Sequence, residues 1–288
     1  MERAQPWLGT LVSIRVSGMA ASDAHRAIDT AFREIASVHC LMSFHDHDSD
    51  VARLNRAVSL QSIQVHSYTY EVLRHAIAFS ASTQGCFDVT VGAELMNWKF
   101  LPSVGRSSIH YGSWRDIELL PDNCVVFHRP LCIDLGGIAK GFAVDRATEC
   151  LQAHGAQQSI INAGGDIRVQ GRDAERIRLR AESFTDAVPV LELTKGSVAS
   201  SSGYLHRRWC HERFYGPHVN GVDRSPAPTD RFVCVVAETC MTADALTKVV
   251  MVRGQESAAV LRKFGASAYM YDAGREWQRL DAEEVMTA

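Results

Sequence analysis

One segment restricts the folds open to this chain more than any other. It is Leu131-Cys132-Ile133-Asp134-Leu135-Gly136-Gly137-Ile138-Ala139-Lys140-Gly141-Phe142-Ala143-Val144-Asp145. The short apolar run predicts a buried strand over 131–135. Gly136 and Gly137 permit a sharp turn and a close approach of backbone to a ligand. Beyond them Ile138, Phe142, Ala147 and Leu151 fall on one helical face. A glycine turn, bare amides at a helix start and Lys140 in the first turn together suit a phosphate group. A plain strand-to-helix turn with a surface lysine is the other reading, and the segment alone does not choose.

The rest of the chain surrounds this unit with alternating strands and amphipathic helices. Leu11 to Val16 alternates as a strand. Ser22 is placed to cap a helix running to about Cys40, with Ile28, Phe32, Ile35 and Val38 on one face. The His and Asp residues of 44–50 lack a rigid metal-ligand spacing, so a polar loop is expected, with Ser49 or Asp50 capping a short helix. A second helix is predicted from Ser67 to just before Gly85. Asp88 and Thr90 lie among apolar neighbours and need partners, either local backbone or a ligand.

Short strands and loop are expected over 103–130, then a strand at 159–161. A tight turn follows at Asn162-Ala163-Gly164-Gly165-Asp166. Further strands are predicted near 177–181, 190–193, 197–201, 231–236 and 267–271. Residues 203–230 read as irregular. Helices are expected from Cys240 and over 256–264. No repeat or linker interrupts this order, so the expectation is one α+β domain spanning residues 1–288.

Composition excludes several classes. A net charge of −3 offers no broad basic surface for nucleic acid. No apolar run approaches the ~18 residues of a membrane span. The first residues lack a signal-peptide core, so a cytoplasmic location is expected for the sequence as given. The eight cysteines include no C-x-x-C pair and read as reduced core thiols rather than zinc ligands or disulfides. No G-x-G-x-x-G follows the first strand, which argues against a Rossmann enzyme. Asp244 and Lys248 are four apart on a predicted helix. They read either as a simple salt bridge or as a magnesium carboxylate with a basic neighbour.

Several stretches together resemble the FAD:protein FMN transferases, the ApbE family. They are Leu8-Gly9-Thr10, Ser49 through Asn55, Gly85 through Gly92, Asp134 through Ala143, Asn162 through Asp166, Ser201-Ser202-Gly203 and Ala243 through Leu246. The resemblance implies a T-fold-like α+β domain with mixed or antiparallel sheets. It implies FAD as substrate and magnesium as cofactor, with FMN passed to a Thr or Ser hydroxyl of an acceptor protein and AMP released. It further implies that Leu8, His45, Cys86, Phe87, Asp88, Asp134 and Lys140 contact FAD. Gly137 and Asp244 would ligate the metal, and His218 would be the base for the acceptor hydroxyl.

The chain departs from the family pattern twice. The family's H-I-I-D-P-x-T-G is replaced by His218-Val219-Asn220-Gly221-Val222-Asp223-Arg224-Ser225-Pro226. Lys248 stands where the family has a threonine four residues past the metal aspartate; the threonine here is Thr247. One residue is about 100° around a helix, so Thr247 joins the metal ligands only if the helix start is irregular. Two arrangements are expected for Lys248: its ammonium fills part of the metal site, or it points to solvent while magnesium binds with more water. An FAD-binding protein without transfer and an FAD pyrophosphatase are the alternative functions.

Overall fold

The computed structural model describes residues 1–103, 112–179 and 188–280. In chain order its elements begin with β1 (Glu2–Trp7), β2 (Thr10–Ser17), α1 (Ala21–Met42), α2 (Asp50–Arg56), β3 (Ser62–Gln64) and α3 (Ser67–Ser82). Next come α4 (Gly92–Asn97), β4 (Ile117–Leu120), β5 (Cys124–Phe127), α5 (Ala139–Ala153), β6 (Gln158–Ala163), β7 (Asp166–Arg178) and β8 (Val190–Ser202). The chain continues with β9 (Arg208–Cys210), β10 (Arg213–Tyr215), β11 (Arg231–Ala237), α6 (Cys240–Arg253), α7 (Ala258–Lys263), β12 (Ser267–Asp272) and β13 (Gln278–Leu280).

Among the described residues the main sheet runs β1-β2-β6-β7-β8-β11-β12-β13, and each neighbouring pair is antiparallel. A β3-β5-β4 sheet and a β9–β10 hairpin stand apart from it. Helices packed on antiparallel sheets make the fold α+β, as expected. In β2, Val12, Ile14 and Val16 are buried while Leu11, Arg15 and Ser17 are exposed, the alternation of a sheet with one face on the core. Helix α1 buries Ile28, Phe32, Ile35 and Val38. Helix α6 is buried nearly all round because it lies between α5 and strands β8 and β11. Each fully buried Ile or Leu of this core contributes about 1.5–3 kcal/mol.

Several expectations change. Leu131 to Leu135 is buried but joins no sheet. Its backbone is held by a side chain instead. Asn55 Oδ1 accepts the Ile133 amide at 2.8 Å, and Asn55 Nδ2 donates to the Ile133 carbonyl at 2.9 Å. The Asp134 amide donates to Val89 O at 2.8 Å, and Gly92 N donates to Cys132 O at 3.0 Å. Ser22 does not cap α1; the helix starts after Ala20 without a side-chain cap, and Asp23 supplies negative charge in its first turn. Strand β1 was not anticipated, and its Pro6 is tolerated because β1 lies at a sheet edge. The two strands expected over 190–201 are one, β8, because the irregularity falls in β7 between Gln170 and Glu175. The strand expected near 177–181 ends with β7 at Arg178, and its last residues lie outside the described ones.

Ser49 caps α2, its Oγ accepting the Ala52 amide at 3.0 Å, so the polar-loop reading of 44–50 describes that region. Five of the cysteines are buried, while Cys40 is exposed and Cys124 and Cys150 are half-buried; all eight are free thiols. No described helix is long and apolar enough to cross a membrane.

Candidate functional site

Two local devices bring the site together. Between β6 and β7, Gly164 and Gly165 both adopt positive φ, and Asn162 Oδ1 accepts the Gly165 amide at 2.9 Å. This two-residue turn sets Asp166 at the start of β7. At the start of α5, Gly141 lies against the Cys240 carbonyl, where any Cβ would collide. That approach lets the Gly141 amide donate to Asp244 Oδ2 at 3.2 Å.

The result is a cleft of about 1060 Å³. It is lined by Leu8, His45, Cys86, Phe87, Asp88, Asp134, Gly137, Lys140, His218 and Lys248. Asp244 and Thr247 are fully buried beneath it. The structure therefore gathers every residue that the resemblance picked out into the cleft or its floor. Phe44, Phe100, Leu101 and His206 also line it. His211 sits instead on the turn between β9 and β10, against Tyr215.

The floor is an acid–base cluster. Lys140 Nζ is 2.5 Å from Asp166 Oδ2, and Lys248 Nζ is 2.6 Å from Asp244 Oδ1. Lys248 Nζ also donates to Thr247 Oγ1 at 3.0 Å and Ser201 Oγ at 3.3 Å. Ser201 Oγ and Thr247 Oγ1 are 2.8 Å apart, and Thr247 donates to the Asp244 carbonyl at 2.7 Å. Asp166 Oδ1 is buried without a partner among the described residues. Burial and the neighbouring Asp244 push Asp166 up to about 6, against the pull of Lys140 and Lys248. Burial works to raise Asp244 too, but Lys248 and Lys140 hold it below the usual carboxylate range. Burial raises Asp134, opposed by the Gly136 amide, His45 and Lys248.

Three of the amides expected to be bare at the start of α5 are engaged within the protein. Ile138 N and Ala139 N donate to Leu135 O, and Gly141 N donates to Asp244. Positive charge at this end of the cleft comes from the two lysines instead.

His218 is buried, and its Nε2 has no partner among the described residues. Burial lowers its pKa to about 3, Lys248 adds to the effect, and a hydrogen bond to the Ser202 backbone opposes it. The imidazole is therefore neutral near pH 7. With the other ring nitrogen bonded to Ser202, Nε2 carries the free lone pair.

Asp88 finds protein partners rather than waiting for a ligand. It accepts from the Thr90 amide at 2.9 Å and the Thr90 hydroxyl at 2.8 Å. Arg224 Nη2 reaches its other oxygen at 3.1 Å and also donates to Thr90 Oγ1 and the Gly112 carbonyl. The altered segment after His218 is thus tied to the wall of the cleft. Sequence reasoning did not single out Arg224 for the Asp88 wall, nor Asp166 and Ser201 for the floor, because their partners lie far away along the chain.

Magnesium does not fit the residues as arranged. Both Asp244 oxygens are engaged, one by an ammonium and one by an amide. The Thr247 hydroxyl is committed to Ser201 and the helix backbone. Among the described residues no three His, Cys, Asp or Glu side chains converge to hold a metal ion.

Comparison with known proteins agrees with this geometry. The profile of the ApbE family matches residues 8–270. A FAD:protein FMN transferase of Treponema pallidum is 27% identical, over 91% of this chain and 81% of its own. That of Vibrio cholerae is 28% identical, over 87% of this chain and 80% of its own. The crystal structure of the ApbE protein of Thermotoga maritima matches with a TM-score of 0.87 at 26% identity, covering 97% of this chain and 96% of that one. The flavin transferase ApbE of Vibrio cholerae shares the fold, with a TM-score of 0.80 at 22% identity over 97% and 96% of the two chains.

Proposed function

Because the chain belongs to the ApbE family, we propose that it transfers FMN from FAD to a Thr or Ser hydroxyl of an acceptor protein and releases AMP. The reading takes residues 1–288 as one transferase domain, since β1 and β13 belong to the same sheet. The observation that carries it is the cleft itself. One cavity joins an apolar wall at Leu8 and Phe87, two lysines at its floor, and a neutral imidazole whose Nε2 has no partner among the described residues.

The isoalloxazine ring packs against Leu8, Cys86 and Phe87, with His45 at its edge. The diphosphate lies toward Lys140 and Lys248, where ammonium groups balance its charge. His218 Nε2 accepts the proton of the acceptor hydroxyl. The hydroxyl oxygen attacks the phosphorus of the FMN half, and a new O–P ester bond forms. The bridging P–O bond to the AMP half breaks, and its electron pair leaves with AMP. A base with a pKa near 3 is weak in the free protein; the incoming diphosphate raises it by favouring the imidazolium. Asp88 and Arg224 hold the cleft wall and the 218–226 segment together and take no proton.

The test is incubation of the purified protein with FAD and a threonine-bearing acceptor, reading AMP and the mass of the acceptor. AMP together with acceptor that keeps its flavin after denaturation supports transfer. AMP with free FMN marks a pyrophosphatase. Bound FAD with no AMP marks a flavin-binding protein without transfer.

A further inference from the structure

Lys248 lies across all three positions expected to ligate magnesium. Its ammonium contacts the Asp244 carboxylate at 2.6 Å and the Thr247 hydroxyl at 3.0 Å. Its stem crosses Gly137, where a Cβ would stand 3.3 Å from Lys248 Cε. Ser201 Oγ, at 3.3 Å, is a third oxygen around the same nitrogen. An ammonium has three N–H donors, so this oxygen set matches its capacity. Separations of 2.6–3.3 Å are those of N–H···O bonds, whereas magnesium holds oxygen at about 2.0–2.1 Å. The lysine does not point to solvent: its side chain is 20% exposed, and that exposed part faces the cleft.

A divalent ion at Asp244 would have to displace this ammonium or sit beside it. Displacement strips the lysine of its buried partner, and coexistence sets like charges close together in a poorly solvated site. Lys140 is already committed to Asp166 and supplies a second fixed cation at the floor.

We propose that Lys248 is the resident cation of the cleft floor, standing in the place of a divalent metal, and that it binds the diphosphate of FAD directly. This rests on the flavin reading above. Binding of FAD then needs no divalent ion. Asp244 becomes a positioning residue: it fixes the ammonium at the floor, with Thr247 and Ser201 completing the cage.

The experiment uses the purified full chain. FAD affinity is measured by flavin fluorescence in EDTA and in magnesium, and Mn²⁺ binding is read from the loss of its free-ion spin-resonance signal, with and without FAD. The expected result is equal FAD affinity in both buffers and an undiminished Mn²⁺ signal. Lys248→Thr should bind FAD at least about tenfold more weakly in EDTA. It should regain affinity with Mn²⁺ and quench the Mn²⁺ signal. If Lys248→Thr does not fold, the wild-type Mn²⁺ and EDTA measurements decide alone, and Lys248→Arg should keep metal-independent binding. Wild-type FAD affinity that rises tenfold or more with magnesium, or wild-type Mn²⁺ uptake in the presence of FAD, would overturn the inference and leave the flavin reading standing. No FAD binding in either buffer would overturn both.

Discussion

Helix α5 carries two buried acid–base clusters little more than one turn apart, and they differ in what they leave open. At Asp145 both carboxylate oxygens are used, although the partner Arg168 keeps its Nε buried without a partner among the described residues and away from the cavity. The carboxylate accepts the Cys240 and Met241 amides at 2.9 Å each and pairs with Arg168. It is the cap that α6 needs beyond Thr239, and it ties α5, α6 and β7 together. At Lys140, the partner Asp166 keeps one oxygen unmatched, and His218 keeps a nitrogen unmatched, among the described residues. Lys140, Lys248 and His218 line the cavity; Asp145 and Arg168 do not. Buried charge alone does not mark function. Unused hydrogen-bonding capacity beside a cavity does, because burying such a group without a partner costs stability that a bound substrate can recover.

The comparison breaks most visibly at His218. His218→Ala should lower transfer by about a hundred- to ten-thousand-fold while FAD binding stays within a few-fold. Steady-state rates and fluorescence titration separate the two effects. The same residue gives a pH test. Its pKa near 3 lies below the ordinary 6.5, so the unfolded chain takes up the proton first as pH falls. His218 therefore withdraws stability from about pH 6.5 down to pH 3 and no further below that. Asp166 acts in the opposite sense. Raised to about 6, it binds its proton first in the folded state and adds stability as pH falls from there toward its ordinary 3.8. Unfolding of wild type and His218→Ala across that range should show a weaker acid loss in the variant, and imidazole resonances should show His218 still neutral at pH 5.

Asp145→Ala tests the closed cluster. It should cost about 3–5 kcal/mol of stability, because it strands Arg168 and two helix amides. Urea unfolding measures this, and FAD affinity per folded molecule should hold. Asn55→Ala removes the clamp on Ile133 and leaves a buried amide and a buried carbonyl unpaired, at about 1–3 kcal/mol for each. It should also weaken FAD binding, since the clamped segment leads directly into Asp134 and Gly137. Ser49→Ala is the smallest change, about 1–2 kcal/mol from the lost α2 cap and the lost bond to the Ser43 carbonyl, and should leave FAD affinity within a few-fold. A Ser49 variant with normal stability but impaired transfer would contradict the division between closed and open polar groups.

What was legible in the sequence follows from how local each signal was. Strand β2 and helices α1 and α3 carry their own periodicity, and the Gly164-Gly165 turn is written in two adjacent residues. The segment from Leu131 to Leu135 looked like a strand because apolarity reports burial, while its hydrogen-bond partners are the Asn55 side chain and the 89–92 backbone. Asp88 showed a need for partners, but nothing in its neighbourhood named Arg224, 136 residues away. Most of the motif stretches marked the cleft because they are turns, strand ends and helix starts that face it, whereas Ser49 to Asn55 caps and forms most of α2 and supports the cleft from outside. The direction of Lys248 was undecidable from its helical spacing, since the Asp244 carboxylate, Ser201 and the Gly137 backbone together fix it. Asp166 escaped notice as a site residue because the turn's glycines were the conspicuous feature and Lys140 lies 26 residues earlier.

The most direct measurement is a crystal structure of the protein with FAD, grown in EDTA. The account predicts flavin density against Leu8 and Phe87, with diphosphate oxygens within hydrogen-bond distance of Lys248 Nζ and His218 Nε2 close to the FMN phosphate. Flavin bound outside this cleft, or a diphosphate remote from both Lys140 and Lys248, would contradict it.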